Sequence, residues 1–346
     1  MLKNNNLYGL SQSELEEFVL ERGYKKFSAK QIFQWIYQKR EYTFEGMTNI
    51  SKPMRADLDN NYRVDLTPVV DRQKSKDGTI KYLFRLEDGQ HIEAVKIPEE
   101  NRLTLCISSQ AGCPLGCEFC MTAKLGHKRN LERGEILAQI ARVQSDLKPD
   151  DRISNLVFMG MGEPFLNYDN VVSAIDIIAS ILAFGIGNKK ITVSTAGFLP
   201  GIYRMTEEGR KFNLAVSLNS ADPDTRVKLM PITRKYPLDQ LRKAVKYFVD
   251  RSQRRVTFEY LLLDGLTDKI SDARKLVQFV EGIPCKINLI NFNATPALPR
   301  ELRPSTEGNM FRFRDYLYPR TPAVTIRESR GADISAACGQ LAGKKS

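Results

Sequence analysis

The chain has 346 residues, a formal charge of +11 at neutral pH and a hydrophobic share of 42%. That length accommodates two domains or one large α/β barrel with additions, and the apolar share excludes a wholly disordered chain. The basic excess suits a polyanionic partner, a property it shares with many proteins whose basic surface is merely solvated. Met1-Leu2-Lys3-Asn4-Asn5-Asn6 lacks the apolar run of a signal peptide, and no stretch reaches the length of a membrane span. The expectation is a cytoplasmic protein with no membrane partner. Six cysteines, three of them in one short loop, point to thiols kept reduced rather than to a disulfide framework.

Residues 1–62 form the first expected segment, a small helical unit running from about Ser11 to Tyr62. Ser11 and Glu14 have capping-box spacing, Leu15, Phe18 and Val19 share a face, and Gly23 stops the helix. A second helix is expected from Ser28, with Gln31 at the matching box position and Ile32, Trp35 and Ile36 as its buried stripe. Lys25, Lys26, Lys30, Lys39 and Arg40 decorate this unit, as either a solvated face or an RNA-docking surface.

In residues 63–100 the period changes to two. Ile80, Tyr82, Phe84 and Leu86 alternate with polar neighbours after an Asp77-Gly78 turn. A second turn at Asp88-Gly89 leads to a strand from His91 to Ile97, so the segment reads as a β-hairpin extension. Glu93 shares a strand face with Val95 and Ile97. A carboxylate among apolar side chains holds a proton more readily, which suits a proton acceptor; spacing alone favours an edge-strand glutamate facing solvent.

From residue 101 to 328, short apolar strands alternate with helical patterns. The strands are Leu103–Ile107, Leu156–Met159, Ile191–Thr195, Leu214–Leu218, Val256–Leu263, Lys286–Ile290 and Ala323–Ile326. Between them lie helical stripes such as Ile136, Leu137, Ile140 and Val143, or Val171, Ile175, Ile178 and Leu182. Repeated βα units imply parallel strands, with ligands held by loops at their carboxyl ends. The final segment, 329–346, is Gly-rich and expected to be mobile.

The loop after the first of these strands reads Gly112-Cys113-Pro114-Leu115-Gly116-Cys117-Glu118-Phe119-Cys120. Zinc sites commonly take four ligands as two close pairs. Here three thiols crowd one loop, and the nearest additional ligand type, His127, is not part of it. A cubane iron–sulfur cluster suits the arrangement better, because each thiolate binds its own iron and one iron stays free for a small molecule. Gly160-Met161-Gly162-Glu163-Pro164 follows at the next strand end, where glycines admit close approach and a carboxylate can accept from an ammonium. Cys106 ends a strand, and Cys338 lies in the Gly-rich tail, where reactivity explains a cysteine better than packing does. Cys285, on an apolar strand, reads as core. Lys124, His127, Lys128, Arg129 and Arg133 follow the cysteine loop as a candidate phosphate-contacting surface.

The Cys-x3-Cys-x2-Cys spacing, with Phe119 before the last cysteine, resembles the signature of the radical S-adenosylmethionine superfamily. Leu105-Cys106-Ile107-Ser108-Ser109-Gln110, Lys128-Arg129-Asn130-Leu131, Gly160-Met161-Gly162-Glu163-Pro164 and Cys338 narrow the resemblance. Together they are similar to the dual-specificity RNA methyltransferases that methylate an adenine ring carbon, along nearly the whole chain. The resemblance implies an α/β fold, a partial (β/α)6 radical S-adenosylmethionine barrel, with the helical N-terminal domain and the β extension added to it.

The resemblance also implies roles. Cys113, Cys117 and Cys120 would hold a 4Fe-4S cluster, and Gly162, Glu163, Ser194, Ser217, Leu218, Asn219 and Asn293 would line the S-adenosylmethionine site. Many family members have histidine where Asn219 stands. Cys338 would carry a methyl group as S-methylcysteine, Cys106 would resolve the covalent RNA adduct through a transient disulfide with Cys338, and Glu93 would accept the ring proton. The implied partners are 23S rRNA, tRNA and a flavodoxin-type electron donor, and a monomer is the default. The expected activity is methylation at C2 of an adenosine in the peptidyl-transferase centre, with C8 methylation of the same adenosine as the sibling alternative. A non-catalytic RNA-binding protein would need neither Cys338 nor Glu93, a radical enzyme for a small molecule or protein would have little use for the basic N-terminal unit, and both would leave the pair Cys106 and Cys338 without a purpose.

Overall fold

The structure is a computed structural model that describes residues 5–148 and 151–343. Three helices open the chain, α1 (Gln12–Leu20), α2 (Phe27–Phe33) and α3 (Lys52–Asn61). Ser11 and Glu14 form the expected reciprocal box, each side chain accepting from the other's backbone N–H. The second helix departs from expectation. It starts at Phe27, so Ser28 is buried within its first turn and forms no box with Gln31, which donates instead to the Asn49 carbonyl. Wider π-type turns then carry it from Gln34 to Lys39. The extra residue per turn rotates the stripe. Ile32, Phe33, Ile36 and Tyr37 are buried, and Trp35 is only half-buried beneath the Lys39 ammonium.

Next come β1 (Val69–Lys74), β2 (Ile80–Arg85), β3 (His91–Glu99), β4 (Arg102–Cys106), β5 (Gln110–Gly112), α4 (Met121–Lys124), β6 (His127–Asn130) and α5 (Arg133–Ser145). The chain continues with β7 (Asn155–Phe158), α6 (Tyr168–Ala179), β8 (Ile191–Thr195), α7 (Leu199–Glu207), β9 (Asn213–Ser217), α8 (Pro223–Leu229) and α9 (Leu238–Ser252). It closes with β10 (Val256–Leu262), α10 (Ile270–Val280), β11 (Cys285–Asn291), α11 (Glu307–Leu317) and β12 (Val324–Arg327).

All of these strands except β5 and β6 join one ten-stranded sheet in the order β1-β2-β3-β4-β7-β8-β9-β10-β11-β12. From β4 onward every neighbour is parallel. Six βα units and the closing strand β12 make the partial barrel expected of the chain. Its strand ends carry short apolar runs because they are buried between barrel interior and helices. The extension is not a separate hairpin. Its strand β3 pairs antiparallel with β4 and covers what would be the barrel's open edge. Hence β2 does not alternate as expected: Lys81, Tyr82, Leu83 and Phe84 are all buried, since the strand is covered on both faces.

The helical unit is fastened to the barrel through Arg133 at the start of α5, whose guanidinium donates to the Gly9 carbonyl and pairs with Glu14. Gly9 and Gly134 allow the two backbones to touch; a Cβ on Gly9 would lie 2.9 Å from the Gly134 Cα. Arg133→Ala is expected to destabilise the docked unit by about 1–3 kcal/mol. Limited proteolysis should then cut within the N-terminal helices faster than in the wild type, with the barrel fragment left intact; an unchanged cleavage pattern would refute the fastening.

Candidate active site

The three-cysteine loop is built on a small hairpin. Strands β5 and β6 pair antiparallel, and Gly112 has φ +73. A Cβ there would fall 1.8 Å from the Gly126 carbonyl oxygen, the atom that accepts the Cys113 N–H at 3.1 Å. Only glycine fits. Beyond it the Glu118 N–H donates to the Leu229 carbonyl, which ties the loop to the end of α8. Cys113 and Cys117 are buried and Cys120 is half-buried. Burial pushes the Cys113 thiol up to about 12 and raises Cys117 well above the ordinary thiol range, with neighbouring thiolates adding to both and Arg226 opposing at Cys117. Such thiols ionise when a cationic metal centre binds them. Among the described residues no three His, Cys, Asp or Glu side chains converge on a single-ion position, and His127 faces solvent beside Gln110. Three thiols on one loop, two of them buried, fit a multi-iron cluster, in which each sulfur takes its own iron.

The expected S-adenosylmethionine residues stand on or just past the carboxyl ends of the parallel strands. The Cβ positions of Gly160 and Gly162 face protein, which leaves their backbone as the surface a ligand could meet. A Cβ on Gly160 would lie 2.7 Å from the Ile107 carbonyl carbon, and one on Gly162 would lie 2.6 Å from the Gln110 Cβ. Their closeness lets the Ser109 and Gln110 N–H groups both donate to the Met161 carbonyl. Glu163 is buried; its carboxylate accepts from the Ala196 N–H at 2.8 Å and the Phe165 N–H at 3.2 Å. Burial raises its pKa to about 7 against those hydrogen bonds, so a nearby ammonium would readily ionise it. The Ser194 and Ser217 hydroxyls lie 3.4 Å apart. The Leu218 and Asn219 N–H groups both donate to the Glu259 carbonyl. Asn219 adopts a left-handed φ of +57, and its amide turns to the Met230 sulfur.

Sequence reasoning missed Arg226. It is fully buried and gathers the loop ends, donating to the carbonyls of Ala196, Ser217 and Leu218 and to the Thr233 hydroxyl. Its one visible signal was a charge three residues before Leu229 on an apolar helix face. Glu259 was missed as well. One of its oxygens accepts from Asn288 at 2.9 Å inside the barrel, while the other is buried without a hydrogen-bond partner.

Cys106, at the end of β4, is buried, and its thiol is pushed up to about 12 by burial and then by Cys338 close by. Cys338 is open to solvent yet enclosed by protein on its other sides, so burial raises its pKa too; Arg327, Glu259 and Cys120 act on it electrostatically. Its carbonyl accepts from Asn293 at 3.4 Å. The structure thus brings Cys106, Cys338 and the cluster loop together at the barrel mouth. No disulfide joins the two thiols here; all six cysteines are free. Cys285 is buried in β11, as core.

The tail expected to be mobile is docked. Asp77 accepts from the Gly331 N–H, and Asp333 accepts from Ser75 and the Lys76 N–H. Met121 donates to the Gly339 carbonyl and Thr122 to the Leu341 carbonyl, while Ala336, Ala337, Gln340 and Leu341 are buried. Residues 344–346 of the 329–346 segment lie outside the described residues. Glu93 is also unlike its expectation. It is fully buried, but its carboxylate meets polar groups: the Ala342 and Gly343 N–H groups and the Lys81 ammonium.

Much of the basic run after the cluster loop is paired within the chain. Lys124 pairs with Glu118, Arg129 with Asp88 and Glu135, and Arg133 with Glu14, so three of these five side chains have carboxylate partners. His127 and Lys128 remain exposed. On the helical unit, Lys26 pairs with Glu16 and Arg40 reaches the Gln144 carbonyl, leaving Lys25 and Lys30 as exposed cations. Among the described residues no helix is long and apolar enough to cross a membrane.

Comparison with known proteins gives a consistent result. Residues 107–279 match the radical SAM superfamily, and residues 5–64 match the ribosomal RNA large subunit methyltransferase N-terminal domain. A probable dual-specificity RNA methyltransferase RlmN from Staphylococcus haemolyticus is 42% identical over 99% of this chain and 94% of its own. One of the same description from Bacillus cytotoxicus is 43% identical over the same shares. The crystal structure of a radical SAM methyltransferase from Sphaerobacter thermophilus has a TM-score of 0.92 and 40% identity, covering 98% of this chain and 99% of that one.

Two outcomes follow from this geometry. Gly112→Ala should disrupt the hairpin, so that protein reconstituted with iron and sulfide holds well under the wild-type iron content; full loading would show the hairpin to be dispensable. Glu163 keeps its proton more tightly folded than unfolded, so its stabilising effect is complete below about 4.5 and lost as pH rises through about 7. Urea unfolding of cluster-free protein should therefore show the wild type losing roughly 3 kcal/mol relative to Glu163→Gln across that window. Parallel pH curves would contradict the assignment.

Proposed function

The chain belongs to the RlmN family of radical SAM RNA methyltransferases, whose cofactors are a 4Fe-4S cluster and S-adenosylmethionine, and from that premise we propose that it methylates C2 of an adenosine in the peptidyl-transferase centre of 23S rRNA. The observation that carries the reading is the meeting of Cys338, Cys106 and the cluster loop at one end of the barrel. Adenosine 37 of some tRNAs is a second substrate in this proposal. A flavodoxin-type protein supplies the electron, and the enzyme works as a cytoplasmic monomer.

Cys113, Cys117 and Cys120 hold the cluster, and Gly162, Glu163, Ser194, Ser217, Leu218, Asn219 and Asn293 line the cofactor site. When bound, these cofactors supply the methyl group, from one S-adenosylmethionine, and the hydrogen-abstracting radical, from a second. Adenine C2 is electron-poor and does not attack a sulfonium methyl, so the carbon is first placed on the chain itself. Cys338 takes the methyl group as S-methylcysteine and, once that group has lost hydrogen, is joined through its carbon to the adenine ring. Cys106 then attacks the Cys338 sulfur, forming a disulfide and breaking the sulfur–carbon bond. The released methylene takes up a proton to become the product methyl, Glu93 accepts the ring proton, and the unpaired electron left on the ring by radical addition would return to the cluster held by the three loop cysteines. Burial keeps Cys106 protonated at rest, which guards against its premature attack. Reaching a ring carbon requires an exposed base, which folded RNA must unstack.

An anaerobic reaction of reconstituted enzyme, S-adenosylmethionine and reductant with a peptidyl-transferase-centre fragment, read by nucleoside mass spectrometry, tests this. The expected product is 2-methyladenosine, lost by at least about a thousandfold in Cys338→Ala, as for loss of a covalent intermediate. A product at 8-methyladenosine would keep the chemistry and overturn the position. No methylated adenosine from a loaded, cofactor-cleaving protein would remove this rRNA as substrate.

A further inference from the structure

Lys81 has 5% of its surface exposed and Glu93 has none. They sit on neighbouring strands, where Lys81 stands opposite Val95 and so lies diagonal to Glu93. The ammonium is 3.3 Å from Glu93 Oε1 and donates to the Ser335 carbonyl at 3.4 Å. The other carboxylate oxygen, Oε2, accepts from the N–H groups of Ala342 at 2.8 Å and Gly343 at 3.1 Å. Gly343 makes that approach with φ +61, where a Cβ would lie 3.0 Å from the His91 carbonyl. The segment between these two feet, Ser335 to Gly343, carries Cys338 near its middle.

A buried ion pair is costly unless its remaining donors and acceptors are satisfied. Here the tail backbone supplies a carbonyl for the lysine and two amides for Glu93 Oε2, while Oε1 is buried against the ammonium with no hydrogen-bond partner of its own. Docking the tail and supplying these partners are therefore one event. With the tail down, Glu93 Oε2 is engaged by two N–H donors and is closed to a substrate proton. With the tail raised, the same oxygen has free lone pairs beside a fixed ammonium.

We propose that Lys81 is a positioning residue that, together with Glu93, clasps both feet of the Cys338 loop, so that Glu93 becomes free to take a proton only when that loop lifts. The catalytic half of this statement rests on the reading of Glu93 as proton acceptor and Cys338 as methyl carrier. Lys81 touches no reacting atom; it sets where Glu93 points and ties its availability to the position of the tail. Removal of the ring proton would then wait for the loop movement that follows methyl transfer.

The test is hydrogen exchange, by mass spectrometry, on the full chain and on its Lys81→Met and Lys81→Arg variants. In Lys81→Met the Ala342 and Gly343 amides should exchange at least about tenfold faster, as for loss of one partner of a buried pair. Lys81→Arg should restore slow exchange, and the amides of Tyr82 to Arg85 should stay protected in both. Wild-type exchange of the tail in Lys81→Met overturns the clasp. So does loss of protection across Tyr82–Arg85 with no rescue of the tail by arginine, because the lysine would then serve the sheet alone. Methylation by Glu93→Gln separates the two ideas: turnover at the wild-type level removes Glu93 as proton acceptor, whereas the exchange result still decides whether Lys81 holds the tail.

Discussion

The pairing of β3 with β4 is the constraint on which the site depends. A partial barrel of parallel strands leaves an open edge at β4, with backbone donors and acceptors that must be paired or solvated. Here β3 takes that edge in an antiparallel register that sets Val95 opposite Cys106. Because side chains alternate along a strand, Glu93 falls on the same face two positions on. One ladder of backbone hydrogen bonds thus carries the candidate proton acceptor to the barrel rim beside a candidate thiol. It also makes the extension part of the barrel sheet, and the face of β2 that this buries includes Lys81.

Burial then determines the chemistry that each group can perform. Cys106, Cys113 and Cys117 are desolvated, so their thiols hold their protons until a cationic partner or a redox step draws them off. Glu163 is raised by the same effect but lies near neutrality, within reach of a bound ammonium. Arg226 supplies the fixed positive charge behind Cys117 while closing the loops after β8 and β9. The tail finishes the enclosure from the other side. It brings Cys338 to the mouth and gives Glu93 two of its three polar partners.

The strong local signals were legible in the chain: βα alternation, the Ser11–Glu14 box, the Cys-x3-Cys-x2-Cys loop and the glycines around Met161. Each rests on spacing within a few residues, which is where periodicity and backbone conformation act. Gly160 and Gly162 show the limit of such signals. Their need for close approach was readable, but the neighbour turned out to be Ile107 and Gln110. The helix at Phe27 shows another, since a π-type insertion that rotates the buried stripe has no signature in amphipathic spacing.

Charge was the least legible property. A run such as Lys124, Lys128, Arg129 and Arg133 looks the same whether its partners are phosphates or carboxylates. Asp88 and Glu14, which claim Arg129 and Arg133, lie far away along the chain. The same holds for Arg226, Glu259 and the Lys81–Glu93 pair, which acquire their surroundings only when remote strands and the tail come together. The sequence by itself determined which elements form and which loop can bind metal, because those follow from local spacing and residue chemistry. Only the tertiary structure decided which charges are spent on the fold, which carboxylates are buried and what closes over them, because desolvation and ion pairing depend on distances in space that the order of residues does not encode.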